Sequence, residues 1–244
     1  MDALIIAAGF GSRLRELSDS KPLTLVAGIT LLELGVRQAK AAGVARVVVV
    51  TGHKADAIED FLPELSARAG IEVVSARVDD WDLPNGYSVM AGAAQIAGDY
   101  LLMMSDHIFS AEILKKLARQ GSADRGVTLA IDHRVESPLV DPDDATWVKL
   151  DKAARITAIG KTIANYDAVD CGAFLATPEL AGAISAAIAV GKSGSLSDGM
   201  QRLADSGRAA TMDVGEAWWL DVDDPRAHAI AEVEAPAQLK EIYG

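Results

Sequence analysis

Residues 4–23 read Leu-Ile-Ile-Ala-Ala-Gly-Phe-Gly-Ser-Arg-Leu-Arg-Glu-Leu-Ser-Asp-Ser-Lys-Pro-Leu. The continuous apolar run Leu4–Ala8 predicts a central strand of a parallel sheet covered on both faces. Ligands of open α/β sheets bind at the carboxyl ends of such strands. Gly9 and Gly11 allow a sharp turn and a close backbone approach to an anion, with N–H groups left to point at its oxygens. Arg13 supplies a planar two-pronged donor and Lys21 a point charge, and Pro22 restricts the backbone beside that lysine. The combination predicts a grip on a nucleoside triphosphate. A dinucleotide-binding Gly-x-Gly-x-x-Gly would need glycine where Leu14 stands, and the Gly-Lys-Ser/Thr of a P-loop is absent from this loop.

The rest of the chain fits one domain spanning 1–244. With 244 residues, half of them hydrophobic, it can bury a full core without an interrupting linker. A net charge of −12, from 35 acidic and 23 basic residues, argues against a nucleic-acid surface. A polyphosphate site must then be a local basic island, helped by a divalent metal. Cys171 is the only cysteine, so no intrachain disulfide is expected. The amino terminus lacks a basic, apolar leader, and the mildly apolar tract Leu180–Gly191 falls short of the ~20 residues of a membrane span. A cytoplasmic protein without a membrane partner is the expectation.

Alternating elements are predicted beyond the first strand. Helices are expected at Leu31–Ala42, Ala55–Arg68, Tyr87–Ile96, Glu179–Val190, Ser197–Asp205 and Pro225–Val233, and strands at Arg46–Thr51, Glu72–Ser75 and Tyr100–Ser105. Shorter strands are expected at Val127–Asp132, Trp147–Leu150, Arg155–Ile159 and Val169–Ala176. The Pro/Asp-rich piece Ser137–Asp144 reads as an exposed loop.

Asp106 follows a buried strand, where a carboxylate either binds a hard cation such as Mg²⁺ or caps a helix over Ile108–Leu117. In Trp218-Trp219-Leu220-Asp221-Val222-Asp223, strand alternation sends Asp221 and Asp223 to one face. Asp223 is then either a metal ligand or the cap of the last helix, with Pro225 in its first turn. Pro84-Asn85-Gly86-Tyr87-Ser88 reads as a tight turn, or as a segment before a helix whose amide groups face a base edge.

The opening segment resembles the signature of the sugar-nucleotide-type nucleotidyltransferases, Leu-Ala-Ala-Gly-x-Gly-Thr/Ser-Arg-Leu followed by Lys-Pro-Leu. That resemblance implies a three-layer α/β/α, Rossmann-like (GT-A-like) fold with a mixed, mostly parallel sheet. It also implies a loop of Ala7, Ala8, Gly9, Gly11 and Ser12 around the triphosphate, with Arg13 and Lys21 as catalytic cations and Mg²⁺ on Asp106 and Asp221.

Within the family the chain is similar to the inositol-1-phosphate cytidylyltransferases, through Ala7–Leu23, Asn85–Val89, Met104–Phe109, Ile159–Lys161, Asp167–Gly172 and Trp219–Asp223. The likeness implies CTP and inositol 1-phosphate as substrates, with 1–125 mainly for the nucleotide and 126–244 mainly for the acceptor. Asn85, Gly86 and Ser88 would face the cytosine and Lys161 the acceptor phosphate, while Asp170, Asp167, Tyr166 and His107 would meet the inositol. From the residues alone, Asp167 and Asp170 read equally well as an acidic loop, Tyr166 as packing and His107 as structural. A phosphocholine or aminoethylphosphonate cytidylyltransferase, a sugar-1-phosphate nucleotidylyltransferase and a regulatory subunit remain open, as does monomer against homodimer. Such enzymes often carry a membrane-embedded alcohol phosphotransferase after this segment. The second reaction is not expected of these 244 residues.

Overall fold

The opening apolar run is strand β1 (Asp2–Ile6), and the other elements are arranged about it. The computed structural model describes residues 1–15, 17–120 and 125–243; the side chain of Ser12 lies outside the described residues. Single 3-10 turns at Ser12–Leu14 and Lys21–Leu23 lead to the hairpin β2 (Leu25–Val26) and β3 (Ile29–Thr30). Helix α1 (Leu31–Ala41) begins where the Thr30 hydroxyl accepts from the Glu33 N–H at 3.1 Å. The alternation continues through β4 (Arg46–Thr51), α2 (Ala55–Ala69), β5 (Glu72–Arg77), α3 (Asn85–Ala93) and β6 (Tyr100–Met104). Then come β7 (His107–Phe109), α4 (Ala111–Arg119), β8 (Val127–Asp132), β9 (Trp147–Leu150) and β10 (Ile156–Gly160). The chain proceeds through β11 (Ala168–Ala176), α5 (Glu179–Ala189), α6 (Leu196–Asp205), β12 (Ala209–Asp213), β13 (Trp219–Asp221), α7 (Pro225–Gln238) and α8 (Lys240–Tyr243).

Among the described residues, nine strands make the main sheet, ordered β10-β9-β11-β6-β1-β4-β5, with β8 pairing β11 and β12 pairing β8. The β5-β4-β1-β6 side is parallel, and Ile6 lies opposite both Val50 and Met104. β11 pairs antiparallel with β6, β8 and β9, and its register against β8 shifts between Asp170 and Phe174. Such an irregularity re-aims side chains next to a site.

Alternation along β1 builds the layers. Ala3, Ile5 and Ala7 pack with Leu32 and Val36 of α1 and Ile58 of α2, while Leu4, Ile6 and Ala8 pack with Val89 of α3 and Ile184 of α5. The sheet is therefore covered on both faces, a three-layer α/β/α arrangement. Val47–Val50 are wholly buried, each worth about 1.5–3 kcal/mol against exposure. A third cluster joins Leu14, Ile108, Leu220 and Val222 to Ala231 and Ala235 of α7.

Several predicted boundaries shift for physical reasons. Asp106 caps no helix, because His107–Phe109 pairs as a strand with β13 and α4 starts only at Ala111. Asp223 is not the cap of α7: Asp224 is, its carboxylate accepting from the Ala227 N–H at 2.7 Å. Asn85 and Gly86 form no free turn but the first residues of α3. Helix α7 runs past Val233 and through Pro236, since Ala231, Ala235 and Leu239 are buried and hold it down. Among the described residues, no helix is long and apolar enough to cross a membrane.

Candidate active site

The cleft opens at the carboxyl ends of β1 and β6. It has two adjoining chambers that share Arg13, Asn85, Met104, Asp106 and Asp223 as a common wall. The first chamber is lined further by Gly9, Gly11, Lys21, Ser88, Trp81 and Leu83, and the second by His107, Asp144, Lys161, Asp170, Gly172, Trp219 and Asp221.

The glycine loop is folded back on its own lysine. Gly11 has φ +62°, and a Cβ there would stand 2.5 Å from Lys21 Cβ, so only glycine lets the turn close on that side chain. A Cβ on Gly9 would meet nothing within 4 Å. Ala7 and Ala8 are buried and extend the sheet instead: the Ala7 N–H donates to Val50 and the Ala8 carbonyl accepts from His53, each at 2.9 Å. Phe10 leaves the loop sideways, stacked on Trp81 with ring centres 6.1 Å apart and edge-on to His53 at 4.7 Å.

Opposite charges alternate along the cleft floor. Lys21, 7% exposed, donates to Asp106 Oδ2 at 2.6 Å and to Asp223. Arg13 reaches Asp223 Oδ2 at 2.8 Å and Asp144 Oδ1 at 2.6 Å, and Lys161 bonds the same Asp144 oxygen. Strand pairing sets Asp221 opposite His107, and the Val222 N–H donates to the Asp106 carbonyl at 2.9 Å. That link brings two carboxylates 115 residues apart in sequence into one cluster. Ligand atoms of Asp106, His107 and Asp221 lie within 4.8 Å of one another, as do those of Asp144, Asp221 and Asp223.

Burial and neighbouring charge set the protonation. For Lys21 burial favours the neutral form, but Asp106, Asp221 and Asp223 outweigh it and hold the ammonium far above its usual range. For Asp106 burial pushes upward, yet Lys21 and His107 keep the carboxyl well below the usual range. Asp221 is raised by burial to about 7, its attraction to His107 being insufficient. Its Oδ1 is buried without a hydrogen-bond partner among the described residues. An unpartnered carboxylate oxygen amid oxygen donors fits a hard divalent cation.

In the second chamber the His107 ring lies parallel to Trp219 at 6.1 Å, and Trp219 Nε1 donates to Asp132 Oδ2 at 2.8 Å. Gly172, φ +74°, gives the imidazole its room, since a Cβ there would press on the ring. Burial lowers the His107 pKa, but Asp221, Asp106 and Asp170 raise it to about 9. Asp170 accepts from the Gly172 N–H at 2.7 Å and is raised by burial to about 6.

Some expected residues lie elsewhere. Tyr166 stacks on Trp147 at 4.0 Å, and Asp167 accepts from the Leu150 N–H; neither lines the cleft. Gly86 is buried at the contact of α3 with Ile184 and Gly194, where a Cβ would collide, so only glycine fits that contact. Asn85 lines both chambers while its Oδ1 accepts from the Leu196 N–H at 2.8 Å, and Ser88 lines the first. Two residues escaped the sequence reading. Asp144 sat in a segment that looked like solvated loop, and Asp132, which holds Trp219, lay within a strand and signalled only burial.

The MobA-like NTP transferase domain matches residues 3–169. The chain is 35% identical to a bifunctional IPC transferase and DIPP synthase of Rubrobacter xylanophilus over 94% of this chain and 51% of that protein. It is 30% identical to the same kind of protein from Aquifex aeolicus over 91% and 49%. The chain thus spans about half the length of these curated relatives. Among solved structures, the inositol-1-phosphate CTP transferase from T. maritima superposes with a TM-score of 0.83 at 24% identity, covering 96% of each chain. The UTP-bound UGPase from Acinetobacter baumannii superposes at 0.78 and 16% identity, over 99% of this chain and 95% of that one. With the family's domain matching more than half of the chain, and a glycine loop, two cations and an acidic cluster sharing one cleft, this chain belongs to the MobA-like NTP transferase family.

Proposed function

We propose that the chain is a cytidylyltransferase that transfers CMP from CTP to inositol 1-phosphate, giving CDP-inositol and pyrophosphate. The observation that carries this reading is the two-chamber cleft, with Arg13 in the dividing wall, Lys21 beside the glycine loop and Lys161 in the second chamber. Relatives named IPC transferase support the choice of CTP and inositol 1-phosphate. Residues 1–125 then serve mainly the nucleotide and 126–244 mainly the acceptor, with Asp221 and Asp223 crossing over.

The reaction is in-line displacement at the α-phosphorus. An oxygen of the inositol phosphate forms the new P–O bond as the bond between the α-phosphorus and the bridging oxygen breaks, and pyrophosphate leaves with that electron pair. A phosphate monoester has a second pKa of about 6, so the nucleophile is already ionised and no general base is needed. His107, held protonated, donates and does not abstract. Arg13 and Lys21 hold the triphosphate in line and offset charge on the leaving group, while Lys161 positions the acceptor phosphate. Asp106, Asp221 and Asp223 fit Mg²⁺, which when bound supplies charge neutralisation at the reacting phosphates. A cationic acceptor such as phosphocholine is disfavoured, since Tyr166 is engaged by Trp147, and Trp218, which donates to Glu234 at 2.9 Å, lines neither chamber.

The test is pyrophosphate release with Mg²⁺, crossing the four ribonucleoside triphosphates with inositol 1-phosphate, phosphocholine and glucose 1-phosphate. Release is expected with CTP and inositol 1-phosphate. Release with CTP and phosphocholine alone would overturn the acceptor, and none anywhere would overturn the enzyme reading.

A further inference from the structure

We propose that Asp144 is a resident surrogate for phosphate, keeping Arg13 and Lys161 paired across the cleft until an incoming phosphate monoester displaces it. This rests on the reading above only in that the second chamber receives such a group. One carboxylate oxygen, Asp144 Oδ1, sits 2.6 Å from Arg13 Nη2 and also bonds Lys161 Nζ. Arg13 comes from the glycine loop and Lys161 from the end of β10, so a single anionic oxygen spans the nucleotide and acceptor sides. A phosphate oxygen shared by the two substrates' cations would occupy that same kind of position.

Three features make the contact exchangeable. Arg13 is 43% and Lys161 57% exposed, so a solute reaches both cations from the open cleft. Exposed ion pairs contribute little to stability, and a dianion outcompetes a single carboxylate for two cations. Arg13 also keeps Asp223 at 2.8 Å, which anchors it when Asp144 leaves. Asp144 is carried on the turn at residues 141–145, between β8 and β9, where the Ala145 N–H donates to the Asp141 carbonyl at 2.9 Å.

The experiment measures inorganic phosphate binding to the full chain by titration calorimetry. Asp144→Asn is expected to tighten phosphate about fivefold, the scale of one exposed ion pair. Asp144→Ala should give the same gain, and adding Lys161→Met should erase it. Asp141→Asn is the control, because Asp141 lies 3.7 Å from Arg13 without touching Lys161. An equal gain in that control would mean a general field effect and overturn the proposal. Unchanged or weaker phosphate binding in Asp144→Asn would overturn it too, as would weakened Mn²⁺ binding with phosphate unaltered, which would make Asp144 a metal ligand. The acceptor's identity is decided separately by pyrophosphate release, so failure there leaves the phosphate result standing.

Discussion

The Lys21 ammonium lies 2.6 Å from Asp106 Oδ2, although the two residues are 85 positions apart. With Asp223 on its other side, this buried cation offsets carboxylates that would otherwise confront one another. Lys21→Met should therefore cost about 3–5 kcal/mol, as when one partner of a buried pair is removed. Added Mg²⁺ should restore much of the lost Tm, far more than it raises the wild-type Tm. Turnover should fall at least about 10²-fold, the scale of losing one charge-stabilising donor. A Tm deficit indifferent to Mg²⁺ would count against a cation site at Asp106, Asp221 and Asp223.

Gly11→Ala probes the loop that closes on Lys21. The new methyl meets the Lys21 side chain at 2.5 Å in a backbone conformation that L residues resist. Strain at such a position costs about 1–3 kcal/mol, and here the loop or the lysine must move to relieve it. CTP affinity should drop sharply while Gly9→Ala, with open space around its Cβ, should be far milder. Equal effects of the two on CTP binding, read by calorimetry, would show that the closure on Lys21 is irrelevant.

Local pattern made part of this legible. The run Leu4–Ala8 and the valines at 47–50 announce buried parallel strands, and β8 and β9 fall where the alternation put them. The cap of α7 was also within reach, since Pro225 at the first helical position makes the preceding Asp224 the cap and frees Asp223 for Arg13 and Lys21. What the sequence hid depends on long-range closure. Asp144 looks like any acid in a Pro/Asp loop until β8 and β9 bring its turn over Arg13. Asp167 and Asp170 are three residues apart in extended chain, an odd spacing that sends them to opposite faces, so one accepts from a neighbouring strand's N–H and the other lines the cleft. Strand β12 lacks a strong apolar run and is specified by its pairing with β8.

His107 and Asp221 give the metal-free protein a pH dependence of definite sign. His107, raised from 6.5 to about 9, contributes fully below pH 6.5, where both folded and unfolded forms are protonated. That stabilisation, about 3 kcal/mol, is lost as pH rises from 6.5 through about 9. Asp221, raised from 3.8 to about 7, holds a proton that the unfolded chain has released, so its contribution also declines as pH rises from 3.8 to about 7. In chelator, denaturant midpoints should therefore fall from pH 6 to pH 9, and His107→Gln should flatten the slope above pH 6.5. A wild-type curve that rises over that range would contradict the ion-paired imidazole.

Asp132 tests how the second chamber is held from behind. Only 2% exposed, it accepts from Trp219 Nε1 at 2.8 Å with one oxygen, and from the Arg134 N–H at 2.8 Å with the other. Burial alone would raise its pKa, but hydrogen bonds from Arg134 and Trp219 lower it, so it stays an anion that fixes the indole. The indole in turn backs the His107 ring, whose face and edge are bounded by Trp219 and Gly172. Asp132→Asn turns an NH₂ toward a donor and should cost about 1–3 kcal/mol, the price of a buried polar group left unmatched. Because the chain of contacts leads to the second chamber and bypasses Lys21, the proposed function predicts that KM for inositol 1-phosphate rises several-fold with KM for CTP unchanged. Steady-state kinetics on the two substrates separate the cases: a parallel rise in both constants would reduce Asp132 to a determinant of folding, and a rise in the CTP constant alone would place the indole on the wrong side of the cleft.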